Sequence, residues 1–241
     1  MKYVDILGID FLNKGFNEVI DFLTERIHKN EKTFVVTANP EIVMYARENQ
    51  EYKKIVQTAD FVVPDGSGII LAAKILNEPL QERVTGYDLM IRLLELANQN
   101  QWRIYLLGGQ EEINQKAVAN IRKQFPNAVL AGSHNGFFNW EENTIQEEIQ
   151  FTEPDIVFVC LGFPRQEKWI AENLVHFSKG IFIGVGGSID VIAGEVKRAP
   201  EVWQKMNLEW FYRLMLQPSR WRRMLALPRF LIQILKIRSS K

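Results

Sequence analysis

The chain has 241 residues, 46% hydrophobic and 24% charged, and its 29 basic and 29 acidic side chains cancel to a net charge of zero. This is a globular composition with room for a sizeable core in one or two domains. A single cysteine, Cys160, excludes an intrachain disulfide framework and a multi-cysteine zinc site, and it fits a reducing compartment.

Over the first 195 residues, short β-branched or aromatic runs alternate with helix-like segments. A strand is expected at 3–9, then a helix at 16–29, a strand at 33–38 (TFVVTA) and helices at 40–48 and 51–58. A strand at 60–63 precedes helices at 67–76 and 86–99. In the second of these, Leu89, Leu93, Leu96 and Ala97 recur at spacings of three and four and so share one face. A strand at 102–107 (WRIYLL), a helix at 111–124, a strand at 128–131 and a helix at 143–149 follow. The series closes with a strand at 155–160 (DIVFVC), a helix at 165–173, a strand at 181–185 (IFIGV) and a helix at 188–193. Such alternation predicts an α/β, Rossmann-like layered fold with a largely parallel sheet flanked by helices. Continuous apolar runs such as Val157–Cys160 suit a sheet covered on both faces.

The neutral total conceals a division. Residues 196–241 hold eleven Lys or Arg and two Glu, a net +9, so residues 1–195 carry −9. The chain is therefore read as an acidic α/β core, 1–195, and a basic, amphipathic, helical appendage, 196–241, for membrane association. Pro200, Pro218 and Pro228 are expected to divide this tail into short helices. Trp203, Met206, Trp210 and Leu214 form one stripe, and Phe230, Leu231, Ile234 and Leu235 another. No stretch reaches the ~18 apolar residues of a spanning helix. Asp5 and Asp10 interrupt the N-terminal apolar run, which argues against a signal peptide. A cytoplasmic protein, peripherally associated with the inner face of the cell membrane, is the expectation. An oligomer interface is the competing use of the tail, and no nucleic-acid-binding module supports a nucleic-acid partner.

In open α/β sheets, ligands bind beyond the carboxyl ends of the strands. Here those ends are rich in Gly, Asp, Asn and Ser: 37–40, 64–68, 107–109, 161–164 and 184–188. Gly186 and Gly187 can turn backbone donors toward a diphosphate, or simply make a tight strand-to-helix turn. Asp65 suits a general base or a helix cap, and Thr37 and Asn39 suit hydrogen bonds to a sugar or base, although Asn39 before Pro40 also reads as an N-cap. Arg83 can pair with a phosphate or with Glu82. Gln166 suits polyol binding, whereas Arg165 and Glu167 read as solvated charges at a helix start. His28, His134 and His176 lack metal-ligand spacing, and His134 is placed in a loop after a strand. Cys160 reads as a small buried hydrophobe.

Seven segments in order make the sequence recognisable: TANPEIVMYAR (37–47), ADFVVPDGSGIILAAK (59–74), ERVTGYDL (82–89), YLLGG (105–109), GSHNGFF (132–138), PDIVFVCLGFPRQEKWI (154–170) and GVGGSIDVIAGEVKRAP (184–200). Together they resemble the WecG/TagA/CpsF glycosyltransferase family over most of residues 1–200. The resemblance implies inverting, metal-independent transfer of N-acetylmannosamine from its UDP donor to the 4-hydroxyl of N-acetylglucosaminyl-diphospho-undecaprenol, forming a β-1,4 linkage in wall teichoic acid linkage-unit synthesis. It places the base on Asp65 and other pocket residues on Thr37, Asn39, Arg83 and Gln166. It also places arginines that complete the site at the membrane on Arg213, Arg220 and Arg223. No cofactor is implied. Two other readings stand beside it: a related transferase using UDP-glucose or UDP-N-acetylmannosaminuronic acid, and a non-catalytic nucleotide-sugar-binding regulator at the membrane.

Overall fold

The computed structural model describes residues 2–239 except 141, 143, 207, 217, 219 and 220, and of 205, 213 and 222 the backbone alone. The chain opens with a hairpin, β1 (Tyr3–Ile6) and β2 (Ile9–Leu12), where a single strand at 3–9 was expected. Leu7 and Gly8 turn the chain with positive φ at both positions, 57° and 83°. That is the pattern of primed two-residue hairpin turns, which match strand twist. The hairpin buries Val4, Ile6, Ile9 and Phe11 and faces Asp5 and Asp10 outward.

The elements then run α1 (Phe16–His28), β3 (Lys32–Ala38), α2 (Pro40–Glu48), α3 (Gln50–Gln57), β4 (Phe61–Pro64), α4 (Ser67–Ile75), α5 (Gly86–Asn100), β5 (Arg103–Gly108), α6 (Glu111–Gln124), β6 (Val129–His134), α7 (Thr144–Phe151), β7 (Ile156–Cys160), α8 (Arg165–Asn173), β8 (Gly180–Gly184) and α9 (Ser188–Ile192). Six of the strands make one parallel sheet in the order β4-β3-β8-β7-β5-β6. Its two faces separate along each strand with period two. Phe34, Val36, Val157, Val159 and Phe182 pack under α2, α3, α4, α7 and α8. Val35, Phe158, Ile181 and Ile183 pack under α1, α5, α6 and α9. The α/β architecture read from the sequence is thus a three-layer sandwich.

The tail forms α10 (Glu201–Lys205), α11 (Glu209–Leu216), α12 (Trp221–Met224) and α13 (Ala226–Ser239). Pro200 is the N-cap of α10, but Pro228 lies inside the first turn of α13, where its missing N–H has no intrahelical partner to lose. Phe230 and Ile234, one turn apart on α13, are completely buried in the same apolar cluster as α2 and α4. Leu227 sits so close to Gly68 of α4 that a Cβ there would meet its Cδ1 at 2.7 Å. No helix among the described residues is long and apolar enough to cross a membrane.

Candidate active site

Strands that are neighbours in the sheet lead to helices on opposite faces at several places along its carboxyl end. β3 and β8 are neighbours, yet β3 leads into α2 on one face and β8 into α9 on the other. β5 and β7 diverge in the same way, into α6 and α8. Divergence of this kind leaves strand-end backbone uncovered and defines where an α/β sheet binds ligands. Two pockets lie there, one beside β3 and β8 and one beside β5 and β7, and Gly162, Gly186, Gly187 and Arg223 line both.

The first pocket, of about 270 Å³, gathers Thr37, Asn39, Asp65, Arg83, Gln166, Gly186, Gly187 and Arg223. Residues drawn from positions 37 to 223 thus line one pocket. Arg220 lies outside the described residues. Arg213 lies in α11, and its side chain is likewise outside what is described.

Asp65 follows β4 and is held at its backbone by Ala38 O at 2.9 Å. Its Oδ2 accepts from the Gly86 N–H at 3.4 Å, at the start of α5. The cap of α4 is Gly66, at φ 98° and ψ 148°, a region essentially closed to other residues. Asp65, one residue before that cap, lies on the pocket wall.

Several predicted ligand-binding side chains first hold backbone. The Thr37 hydroxyl donates to Gly184 O at 2.8 Å from a buried position. Asn39 caps α2, its Oδ1 accepting from Ile42 N–H at 3.0 Å. Gln166 is buried, and its Oε1 accepts from the Gly186 N–H at 3.0 Å. The Gly186 N–H is therefore already engaged. Among the described residues the Gly187 N–H has no acceptor, so it is the donor this turn can offer an anion. The sequence reading of Glu167 as a solvated charge is corrected: its side chain is buried beneath Gln166.

Sequence reasoning missed two glutamates. Arg83 does not pair with Glu82; its Nη1 lies 3.4 Å from Glu209 Oε2 on α11. Arg223 Nε and Nη2 reach Glu41 on α2, each with a contact of 2.8 Å. The Glu41 carboxylate raises the Arg223 pKa further and keeps it cationic. Core arginine meets tail glutamate, and tail arginine meets core glutamate, across one pocket. Spacing could not reveal these pairs, since their partners are 126 and 182 positions apart.

The second pocket is lined by Gly109, Gln110, Cys160, Leu161, Arg165 and Asp190, and by exposed Phe137. Arg165 is no mere solvated charge: it donates to Gly136 O at 3.2 Å and stacks over Trp140. Burial pushes the Cys160 thiol well above its ordinary range, so it stays a neutral thiol. His134 is the last residue of β6 rather than a loop residue; its Nδ1 lies 2.8 Å from Asn135 O, and it lines neither pocket. Among the described residues no group of three or more His, Cys, Asp or Glu is arranged to hold a metal ion.

A model of the glycosyl transferase WecG/TagA/CpsF family matches residues 4–241. Curated relatives match over nearly their full length. One from Bacillus spizizenii strain W23 is 37% identical over 237 residues, 98% of this chain and 92% of the relative. One from Bacillus subtilis strain 168 is 37% identical over 242 residues, 100% of this chain and 94% of the relative. One from Staphylococcus aureus strain MRSA252 is 37% identical over 236 residues, 97% of this chain and 92% of the relative. All three are named N-acetylglucosaminyldiphosphoundecaprenol N-acetyl-beta-D-mannosaminyltransferase.

Proposed function

This chain belongs to the glycosyl transferase WecG/TagA/CpsF family, and on that premise we propose that it moves N-acetylmannosamine from UDP-N-acetylmannosamine to the 4-hydroxyl of N-acetylglucosaminyl-diphospho-undecaprenol. The observation that carries the reading is the single pocket in which Asp65, the Gly186–Gly187 turn and two arginines from distant parts of the chain meet. The relatives' printed name supplies the sugar and the lipid acceptor.

The reaction is a single displacement. The acceptor O4 attacks the anomeric carbon, and its proton passes to the Asp65 carboxylate. The bond from the anomeric carbon to the β-phosphate oxygen breaks, its electron pair leaves with UDP, and the anomeric configuration inverts. Negative charge then grows on the β-phosphate. The Gly187 N–H and the guanidinium groups of Arg83 and Arg223 supply fixed positive poles for it. To reach phosphate, each arginine exchanges a carboxylate partner, Glu209 or Glu41, for a phosphate oxygen, so substrate binding rearranges contacts between core and tail. The nucleotide end of the donor fits the second pocket, because Gly186 and Gly187 border both spaces. We read the reaction as independent of metal. The exposed apolar surface of α10–α12, in a stretch of sequence rich in Lys and Arg, meets the anionic membrane in which the acceptor lies.

A transfer assay with the lipid-diphosphate acceptor, a panel of UDP-sugars, and EDTA present or absent tests the reading. Expected are turnover with UDP-N-acetylmannosamine above the glucose and N-acetylmannosaminuronic acid donors, and no loss with EDTA. Asp65→Asn should lower kcat by about 10²–10⁴, the usual contribution of a general base, while UDP binding persists. Wild-type turnover by that variant removes Asp65 from the role.

A further inference from the structure

The first turn of α8 carries a carboxylate that no surface role explains. Glu167 is 0% exposed, and so is Tyr52 of α3 beside it. Glu167 Oε1 accepts from Gln166 Nε2 at 2.7 Å. Glu167 Oε2 and the Tyr52 hydroxyl are buried together, near enough to interact with each other though outside strict hydrogen-bond geometry, and among the described residues neither has another partner. The two side chains are still close enough for the carboxylate charge to raise the hydroxyl's pKa, after burial itself. Tyr45 and Phe163 wall them in, with ring centroids 5.0 and 5.5 Å from that of Tyr52. A buried polar group left unsatisfied costs about 1–3 kcal/mol. An apolar residue would pack here without that cost, so packing does not account for the acid.

Gln166 accounts for it. A carboxamide has a donating end and an accepting end of nearly equal shape. Glu167 Oε1 accepts and therefore takes the NH2 end. The Gly186 N–H donates and therefore takes the carbonyl end. Turned over, the amide would oppose donor to donor at Gly186 and acceptor to acceptor at Glu167. Gln166 also lies flat on Gly184, where an added Cβ would meet its Nε2 at 2.7 Å. The held turn, with Gly186 at φ 49°, is the partition between the two pockets.

We propose that Glu167 is a positioning residue for sugar transfer: with Tyr52 it orients the Gln166 carboxamide, which in turn fixes the Gly186–Gly187 turn where donor diphosphate and acceptor meet. The catalytic part of this proposal rests on the transferase reading above. Burial raises the Glu167 pKa, and the contacts from Gln166, its own N–H and the Tyr52 hydroxyl oppose that rise. Its place in the first turn of a helix also favours the negative form. Oε1 is an acceptor in the carboxylate, and in the acid it remains one when the proton sits on Oε2.

A double-mutant cycle on the full chain tests it, using Gln166→Ala, Glu167→Ala and the pair. Each single change should lower kcat by about 10- to 100-fold, the size of a hydrogen bond to a charged group, with KM for the UDP-sugar moved less than about threefold. The pair should fall no further than the worse single, because one residue acts through the other. UDP carries the terminal phosphate charge that develops during transfer, so its Kd should rise by a similar factor and show the same non-additivity. The stoichiometry of UDP binding gives the active fraction and separates misfolding from misplacement. Glu167→Gln, which keeps an acceptor but admits both orientations, should fall between wild type and Glu167→Ala. Losses that multiply in the pair, or wild-type kcat in Glu167→Ala, overturn the proposal. Where Glu167→Ala does not fold, the same criterion applies to Glu167→Gln and Tyr52→Phe, each paired with Gln166→Ala. If the wild type transfers no sugar from any donor, the transferase reading has failed, and the UDP cycle alone still decides whether Glu167 positions Gln166.

Discussion

Helices α10–α12 and helix α13 come from the same basic, aromatic stretch, with similar shares of apolar and cationic residues. Their surroundings differ. On α13, Phe230 and Ile234 are fully buried against α2 and α4, and Arg229 reaches Glu48 at 2.6 Å. Along α10–α12, Val202, Met206, Met215, Leu216 and Trp221 stay 49–64% exposed, and Trp203 stacks on Phe211 while Trp210 meets that ring edge-on, both outside the core clusters. The apolar positions on α13 find a complementary groove, and those before it do not. The membrane-facing role proposed above therefore falls to α10–α12 and the outer face of α13, which exposes Ile232 and Leu235, while the inner face of α13 is part of the folded core.

The largest effect expected from this contrast is on folding. Phe230→Ala should destabilise the protein by about 3–5 kcal/mol through lost burial and a residual cavity. Trp221→Ala should change stability by less than about 0.5 kcal/mol, as exposed sites do. Denaturant unfolding of both variants checks the pair, and equal effects would erase the distinction between the two stretches. Membrane affinity should reverse the order. Trp221→Ala combined with Leu225→Ala should weaken binding to anionic vesicles roughly tenfold or more, from about 1.5–3 kcal/mol per buried side chain. A folded variant that binds vesicles as wild type does would move the contact surface elsewhere.

Arg223→Gln is expected to act between these two extremes. Its ion pair with Glu41 is 44% and 20% exposed, so its loss should change stability by less than about 1 kcal/mol. Its loss should still raise KM for the lipid acceptor, read in the transfer assay; an unchanged KM would leave Arg223 as a clasp between tail and core only. The smallest effect lies inside the core. Burial raises the Glu167 pKa above its ordinary 4.5. In the window above 4.5 the folded chain retains a proton that the unfolded chain has lost. That stability is fully present below 4.5 and is lost as pH rises through the folded value. Glu167→Gln should flatten the dependence of stability on pH in that window, and an unchanged slope would place the titration elsewhere.

Apolar periodicity was enough to locate nearly every helix and strand, because period two and period 3.6 are local consequences of backbone geometry. It failed at Leu7-Gly8, where a two-residue turn splits one apolar run into a hairpin, and the proline rule set the last helix boundary at Pro228, which a helix tolerates in its first turn. The positions of Thr37, Asn39, Asp65 and Gln166 were legible because strand-end loops must line the crevice of a parallel sheet, and that of Arg83 through the family resemblance alone. What those side chains touch was not legible. Thr37, Asn39 and Gln166 hold backbone as well as facing the pocket, which depends on neighbours up to 147 positions away.

The sequence by itself determined the layered α/β architecture, the strand-end pocket and the opposition of an acidic core to a basic tail, since each follows from local pattern or from counting charge. Tertiary structure alone decided which half of the tail joins the core, which glutamates hold the pocket arginines, and why an acid is buried behind Gln166. Those outcomes depend on the fit and orientation of groups brought together by folding, and neither shape complementarity nor the direction of a carboxamide is encoded in residue type or spacing.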